Sequence, residues 1–466
     1  MKRILTIIFC ITSFYMSGQD STSVISLSEY LGYVKAYHPI VKQANLVINE
    51  SEAKLMKARG AFDPKIEVDY ARKRFKNTTY YDKLNAAFKI PTWYGIELKG
   101  NFDDNRGFYL NPENYIPDDG LYGVGVSVPL AKDLLINNRM AALKQAKLYI
   151  NQASADRQIA VNNILFEATK AYFEWLKTYK EQLLYRNFLV NAEIRFNGIK
   201  KNYEEGESPA IDTVEARITL NDRKLNLEKA NIKYTKASLE LSNFLWLNDN
   251  TPIEINDGII PDTTTNEIID DILNTSLLAI ENLNLDEHPK IKSLDAKIES
   301  LTIEKRLKTN NLLPRIDLQY NFLSQTPDIS DSFNTANYKS GLNVSIPLFL
   351  RKERADLRLA KLKLQNTQFE LQSSRVGLIN KINATNRTLE SFVKQNDYLK
   401  TMVSDYNAML NAEERKLFLG ESSLFLVNSR ESKLIDAELK AIDLENEFFN
   451  TKASLFNILA ISDIDD

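Results

Sequence analysis

A short alternating pattern that runs through a proline into a very long helical pattern occurs twice in this chain. In the first copy, Tyr122, Val124, Val126 and Val128 alternate with Gly123, Gly125 and Ser127 as far as Pro129. Period-two alternation puts the valines on one face of a strand. Proline ends the strand because it has no N–H for the ladder. Helical spacing takes over at once. Ile136, Leu143 and Ile150 recur every seven residues, Ile164 and Ala171 keep that register, and Arg157 breaks it. No proline or glycine interrupts the chain between Leu130 and Gly198. A helix of roughly 70 residues spans about 105 Å at 1.5 Å per residue. Helices of that length have nothing large enough to bury them except one another, so the spacing predicts a bundle or helical tube.

The second junction is Lys339-Ser-Gly-Leu-Asn-Val-Ser-Ile-Pro347-Leu348, again followed by heptads. Leu357, Leu364, Leu371 and Leu378 form one row, and Leu362, Phe369 and Val376 another. The duplication extends further. His38-Pro39 and His288-Pro289 lie 250 residues apart, and so do Pro64 and Pro314. The chain is therefore read as two structural repeats. Each repeat is helix, strands, very long helix, tight turn, return helix.

In chain order, Leu27–Gly60 reads as a helix capped by Ser26 or Ser28. The first repeat covers 20–247, with strands at about 64–130, a long helix at about 131–203 and a return helix at 211–247. The first strand alternates Ile66, Val68 and Tyr70 with Lys65, Glu67 and Asp69. The region before Val124 carries a further alternation, Tyr94, Ile96, Leu98 and Phe102. It also carries turn material at 103–107 and 117–120. This leaves room for four strands in the first repeat against two in the second. A mixed equatorial linker, 248–284, has a short strand signal at Ile253 and Ile255 and a short helix signal from Ile268 to Leu278. The second repeat, 285–466, has strands at about 314–348, a long helix at about 350–417 and a return helix at 424–461.

Residues 1–19 read as a secretory signal peptide: Lys2 and Arg3, an apolar run from Ile4 to Met16, then Ser17-Gly18-Gln19. The only cysteine, Cys10, lies in that run. The mature chain then has no disulfide, cysteine metal site or thiol nucleophile. The chain carries a net charge of −3, and residues 1–19 hold two basic and no acidic residues, so the mature charge is −5. That argues against a nucleic-acid partner. The two histidines read as a helix-start turn used twice rather than as metal ligands. No later segment is apolar for 18 residues, so a mature chain entering a membrane must do so as a closed barrel. The strands fit such a barrel, alternating apolar with polar or small residues. Two or four strands do not close alone, so closure demands several chains. The fold class expected is mainly α with membrane β-barrel strands.

The Pro-ended duplicated strands, Val128-Pro129-Leu130 and Ile346-Pro347-Leu348-Phe349, and two helix turns carry a family resemblance. The first turn is Tyr203-x-x-Gly206 followed by Ile211-Asp212-Thr-Val-Glu-Ala216-Arg217. The second is Leu417-x-x-Gly420 followed by Leu424 to Arg430. Over essentially its whole mature length the chain resembles the outer-membrane efflux protein family, the TolC-like exit ducts of Gram-negative bacteria. It departs from the pattern where Leu350-Arg351-Lys352-Glu353-Arg354 replaces glycines after the second junction, and where Leu426 stands in place of an Asp212 equivalent.

The resemblance implies a homotrimer with one barrel in outer-membrane lipid and a helical tunnel across the periplasm. It also implies a periplasmic adaptor (membrane fusion protein) and an inner-membrane pump as partners, in an efflux or type I secretion system. Tyr203, Gly206, Glu207, Ser208, Gly420, Glu421 and Ser422 become candidate adaptor-docking tips. Glu204, Glu205, Glu413 and Glu414 become periplasmic gate candidates, with Glu414 nearest the family's acidic constriction and Asn411 where a second acid is expected. Pro129 and Pro347 mark the strand–helix junctions. No cofactor is expected. Neither a G-x-S-x-G nucleophile motif nor a glycine-rich phosphate loop is present, which sets an enzyme aside. A periplasmic coiled-coil adaptor or scaffold is the alternative, and it leaves the alternating strands unexplained.

Overall fold

A computed structural model describes residues 23–256, 258–275, 284–328 and 334–460. The expected signal peptide and Cys10 lie outside these residues. The elements in order are β1 (Ser23–Ile25), α1 (Leu27–Tyr37), α2 (Pro39–Gly60), β2 (Lys65–Phe75), β3 (Thr78–Pro91), β4 (Glu97–Arg106) and β5 (Leu121–Pro129). There follow α3 (Asn138–Glu204), α4 (Ala210–Ser242), β6 (Ile259–Pro261), α5 (Thr265–Ile272), α6 (Pro289–Asn310), β7 (Arg315–Ser324), β8 (Tyr338–Ser345), α7 (Arg351–Phe418) and α8 (Leu424–Leu459). The fold is mainly α with one large sheet. No described helix is long and apolar enough to cross a membrane.

The chain packs as two compact units. The first takes in the described residues of Met1–Pro39, Ile164–Ile280 and Ala384–Asn457, the second those of Ile40–Asn163, Glu281–Asn383 and Ile458–Asp466. Each draws on both sequence repeats, because the long helices α3 and α7 contribute to both. The first unit has an aromatic core. Tyr30, Tyr172, Phe173 and Trp175 are fully buried, and Phe173 lies 4.9 Å from Phe449, ring centre to ring centre. The Tyr172 hydroxyl donates to the Ile25 carbonyl at 2.8 Å and accepts from the Asp262 N–H at 3.1 Å. It thereby fastens β1 and β6, which pair in parallel, to α3. Burial pushes this phenol up to about 12.

The second unit holds the six-stranded sheet, ordered β2-β3-β4-β5-β7-β8 and antiparallel throughout. Its register extends the sequence alternation across every strand. Ile66 lies opposite Phe88, Phe88 opposite Gly100, Gly100 opposite Val124, Val124 opposite Phe322 and Phe322 opposite Tyr338. Directly opposed residues share a face. One face therefore carries Ile66, Val68, Leu84, Phe88, Leu98, Phe102, Val126, Leu318, Leu342 and Val344. The other carries Glu67, Asp69, Lys83, Asn85, Lys99, Asn101, Ser127, Gln319, Asn321 and Asn343. Among the described residues nothing covers the apolar face: Ile66 is 76% exposed and Leu342 64%.

Several sequence expectations shift locally. The helix expected over Leu27–Gly60 breaks at His38, where the following Pro39 disfavours helical geometry. Ser26 caps α1 as expected, its hydroxyl accepting from Glu29 N–H. The long helix expected from about residue 131 begins at Asn138. The Asn137 side chain caps it, accepting from Met140 N–H at 2.9 Å. The break at Arg157 in the heptad row is an anchor, because its Nε donates to Asn45 of α2 at 2.6 Å. Ile253 and Ile255 form no strand. Their N–H groups bond the Leu245 carbonyl and the Ser242 hydroxyl at the end of α4. The linker strand is Ile259–Pro261 instead. The linker helix ends at Ile272, and the expected remainder past Thr275 lies outside the described residues.

Candidate functional site

The α3–α4 and α7–α8 turns adopt one geometry. Gly206 and Gly420 sit at φ +85° and +75°. Gly206 N–H bonds the Tyr203 carbonyl and Glu207 N–H the Asn202 carbonyl. Gly420 N–H bonds Leu417, and Glu421 N–H bonds Lys416, over the same intervals. This paired closure of the last helical carbonyls needs a left-handed residue just past the helix, which is why glycine stands there. A Cβ at either position would meet nothing within 4 Å, so backbone conformation rather than space sets the requirement. Beyond the turns, α4 starts behind Pro209, and Ser423 N-caps α8 through its contact with Leu426 N–H.

Just inside the turns, a polar network joins all four helices. Glu431 of α8 is fully buried. One of its oxygens accepts from Arg195 of α3 at 3.0 Å, the other from Arg223 of α4 at 3.1 Å. Arg195 also reaches Glu414 of α7 at 2.9 Å and Asn428 at 3.3 Å, and Asn428 donates to Glu215 at 3.1 Å. Phe188, Leu410, Val427, Leu434 and Ile435 pack beside this network. A carboxylate taken fully out of water is tolerated only with such pairing.

The gate candidates fall into two kinds. Glu414 pairs with Arg195. Glu413 accepts from the Ser422 hydroxyl at 2.6 Å and lies 3.8 Å from Arg430. Glu204 and Glu205, at the end of α3 and just past it, lie 3.9 and 3.8 Å from Lys200 and Lys201, in water. Of the docking candidates, Tyr203 is 46% exposed, and Gly206, Glu207, Gly420 and Glu421 are exposed; Ser208 and Ser422 are half-buried.

The histidines occupy matching settings: each stands just before the proline that opens a helix, at φ −62° and −63°, and each ring meets backbone at the end of a return helix, at Asn243 for His38 and Ile458 for His288. His288 N-caps α6, its Nδ1 accepting from Lys290 N–H while Nε2 donates to the Ile458 carbonyl at 2.9 Å. His38 stacks on Phe244 at 5.9 Å. Burial lowers both below the ordinary imidazole value.

The family model described as "Outer membrane efflux protein" matches residues 33–245 and 282–460, most of the chain and both repeats. The chain belongs to the outer membrane efflux protein family. It is an outer-membrane exit duct. Solved structures agree on the fold. The CmeC outer membrane channel of Campylobacter jejuni matches with a TM-score of 0.64 at 14% identity, covering 93% of this chain and 85% of that one. VceC of Vibrio cholerae gives 0.65 at 13%, covering 93% and 96%. The open MtrE outer membrane channel of Neisseria gonorrhoeae gives 0.65 at 15%, covering 93% and 88%. None of the curated proteins matches by sequence.

In this efflux protein the two junction prolines are not equivalent. Pro129 is buried, and the sheet continues past it, with Leu130 N–H on the Ile316 carbonyl at 2.7 Å. Pro347 is exposed beyond the end of β8, beside Leu348 and Phe349 at 89% and 69% exposure. Sequence reading also passed over the apolar tip residues. Phe418 and Phe425, flanking the second turn, are 89% and 66% exposed. Their signal was an aromatic on each side of the glycine turn, where both helices end.

Proposed function

We propose that three copies of this chain form one duct, which receives its cargo from a periplasmic adaptor and an inner-membrane pump and passes it outward without chemical change. The observation that carries the assembly is a row on α4. Ile211, Ile218, Leu225, Ile232 and Leu239 are spaced by seven and are all exposed, between 51% and 67%. A strict seven-residue row is a coiled-coil seam, and this one is left uncovered by the described residues of its own chain. The α7 rows divide in the same sense: Leu364 is buried, while Leu362, Phe369 and Val376 of the other row are more than half exposed. The seams fit neighbouring copies. Sedimentation of the detergent-extracted protein tests this. A trimer is expected, and loss of the trimer is expected in Ile218→Lys/Ile232→Lys. A monomer in the wild type sinks the assembly.

The turns at Tyr203–Ser208 and Gly420–Ser422 are the docking tips in this proposal, and Phe418 and Phe425 give the second tip an apolar contact of the kind partners cover. Glu204, Glu205, Glu413 and Glu414 serve the periplasmic gate. Because Glu413 and Glu414 are held by Ser422, Arg430 and Arg195, the exposed Glu204 and Glu205 are left to attract cations. Single-channel recording with divalent cations tests that role; block unchanged in Glu204→Gln/Glu205→Gln would remove them from it. The two sequence repeats are the units that supply strands, long helix and return helix in turn. A coiled-coil scaffold offers no use for a sheet with a wide uncovered apolar face.

A further inference from the structure

The sheet holds six strands where a plain duplication of two strands per repeat would give four. The additional pair is the β3/β4 hairpin, Thr78–Arg106, between the strand that opens the first repeat and the one that closes it. We infer that this hairpin is an integral part of the barrel wall, that each chain therefore contributes six strands, and that β2 of one copy pairs with β8 of the next to close eighteen strands. The inference rests on the trimeric-duct reading and fixes its calibre.

Three observations carry it. Over 84–90 and 98–102 the hairpin continues both faces of the sheet, with Asp82, Asp104 and Arg106 bounding the apolar face at the far end. Leu84, Ala86, Phe88 and Ile90 of β3 and Leu98 and Phe102 of β4 lie on the apolar face. Lys83, Asn85, Lys89, Lys99 and Asn101 lie on the polar one. A hairpin folded outside a barrel has no reason to keep that register, since a slip of one residue reverses every side chain.

The turn of the hairpin is also built into its surroundings. Trp93 stacks on Phe62 with ring centres 5.7 Å apart, and Asn137 donates to the Trp93 carbonyl at 3.0 Å. Arg139 reaches Glu97 at 3.1 Å, and the Lys144 ammonium lies over the Trp93 ring. The residues between Pro129 and Asn138, which postpone the start of α3, include the Asn137 that grips this turn.

The third observation is strand parity. The edges of the sheet, β2 and β8, run antiparallel to each other because the strand number is even. A rotation that places identical copies side by side then joins β8 to β2 as one more antiparallel pair, and a ring of such contacts leaves no edge. Both edges present the faces this needs: Ile66 and Val68 on β2, Leu342 and Val344 on β8, all more than half exposed. Barrel diameter grows roughly linearly with strand number, so eighteen strands give a mouth about half again as wide as twelve.

Cysteine pairing tests the arrangement directly, because the chain holds no cysteine beyond Cys10 and disulfides form only between Cβ atoms about 4 Å apart. Glu67→Cys is combined in turn with Gly341→Cys, Asn343→Cys and Ser345→Cys on the polar face of β8, with Leu342→Cys on the opposite face as the negative. Two intrachain pairs are made as well, Glu97→Cys/Ser127→Cys and Glu67→Cys/Ser127→Cys. All are oxidised in outer membranes and run on non-reducing gels. The expected result is an intersubunit ladder for at least one polar-face site and none for Leu342→Cys, with an intrachain link for Glu97/Ser127 and none for Glu67/Ser127. A Glu67/Ser127 link would put β2 against β5, leave four wall strands per chain and overturn the inference. An absent ladder at every β8 site in a protein that sediments as a trimer overturns the edge pairing. End-on images of the wild-type trimer give a second reading, and a rim of twelve-strand width overturns it too. If the protein is instead recovered without detergent in the soluble fraction, the duct reading fails, while the two intrachain pairs still decide whether the hairpin lies in the sheet.

Discussion

Glu431 is the residue on which the helix bundle near the turns is most exacting. It is fully buried and answers two arginines that are themselves almost out of water. Removing one partner of a buried pair leaves the others uncompensated, which costs about 3–5 kcal/mol. Glu431→Gln should lower unfolding free energy by that order in urea titrations followed by circular dichroism. Glu414→Gln, whose carboxylate is 44% exposed, should change it by no more than about 1 kcal/mol. Equal effects would contradict the distinction. His288 sets a pH limit. Its folded pKa is lowered by burial, so the unfolded chain takes up the proton first as pH falls. The stability it supports is full above the ordinary value near 6.5 and declines as pH falls from there through the lowered folded value. His288→Asn keeps a capping side chain without the titration and should flatten unfolding midpoints between pH 7 and pH 5. A slope identical to wild type would assign the loss elsewhere. Neither residue was legible in the sequence as a network member. Arg195, Arg223 and Glu431 sit far apart along the chain, and nothing in their local pattern distinguishes them from solvated helix charges.

At the level of elements, strands were legible wherever apolar and polar residues alternate beside a proline, as at Ile66–Tyr70 and Ile316–Phe322. β3 was harder to read. Tyr80-Tyr81 and Ala86-Ala87 blur its alternation, and the phase shows only against β2 and β4. Register also revises what a substitution does. Gly125 lies on the polar face, which suggests that a side chain there would merely narrow the lumen. A Cβ at Gly125 would overlap the Tyr320 carbonyl and Asn321, lying 2.6 Å from the Asn321 Cα. Gly125→Arg should therefore part β5 from β7 and abolish assembly. Gly341, on the same face with open space around it, is the site where Gly341→Arg should leave a trimer of altered conductance. Val344→Arg, on the apolar face, should cost about 2–4 kcal/mol if it lies at mid-bilayer. Trimer yield and planar-bilayer conductance check all three; normal assembly of Val344→Arg would overturn the assigned faces, and normal assembly of Gly125→Arg the close approach of β5 to β7. The helix turns were legible from Gly206 and Gly420 alone. Ala at each should cost about 1 kcal/mol for the left-handed backbone, while Phe418→Ser/Phe425→Ser should weaken adaptor cross-linking and leave the trimer intact.

For the whole molecule, the duplicated plan was legible because prolines, histidines and glycine turns recur at matching intervals. The strand count was legible too, as four in the first repeat and two in the second; the pairing order that seats the hairpin between β2 and β5 in one sheet was not, because it appears only across the strands. That hairpin has a consequence for how such ducts diverge. The chain leaves β2 and enters β5 at the same end of the sheet, so excising everything between them joins two strands that already run antiparallel. Insertion or loss of a hairpin thus preserves the direction of both edges, the phase of both faces and the approach to each long helix. Loss of a single strand would preserve none of these. With three copies closing the barrel as proposed, bore is inherited in whole steps of six strands, and a lineage can change gauge in one genetic event without redesigning the machinery beneath.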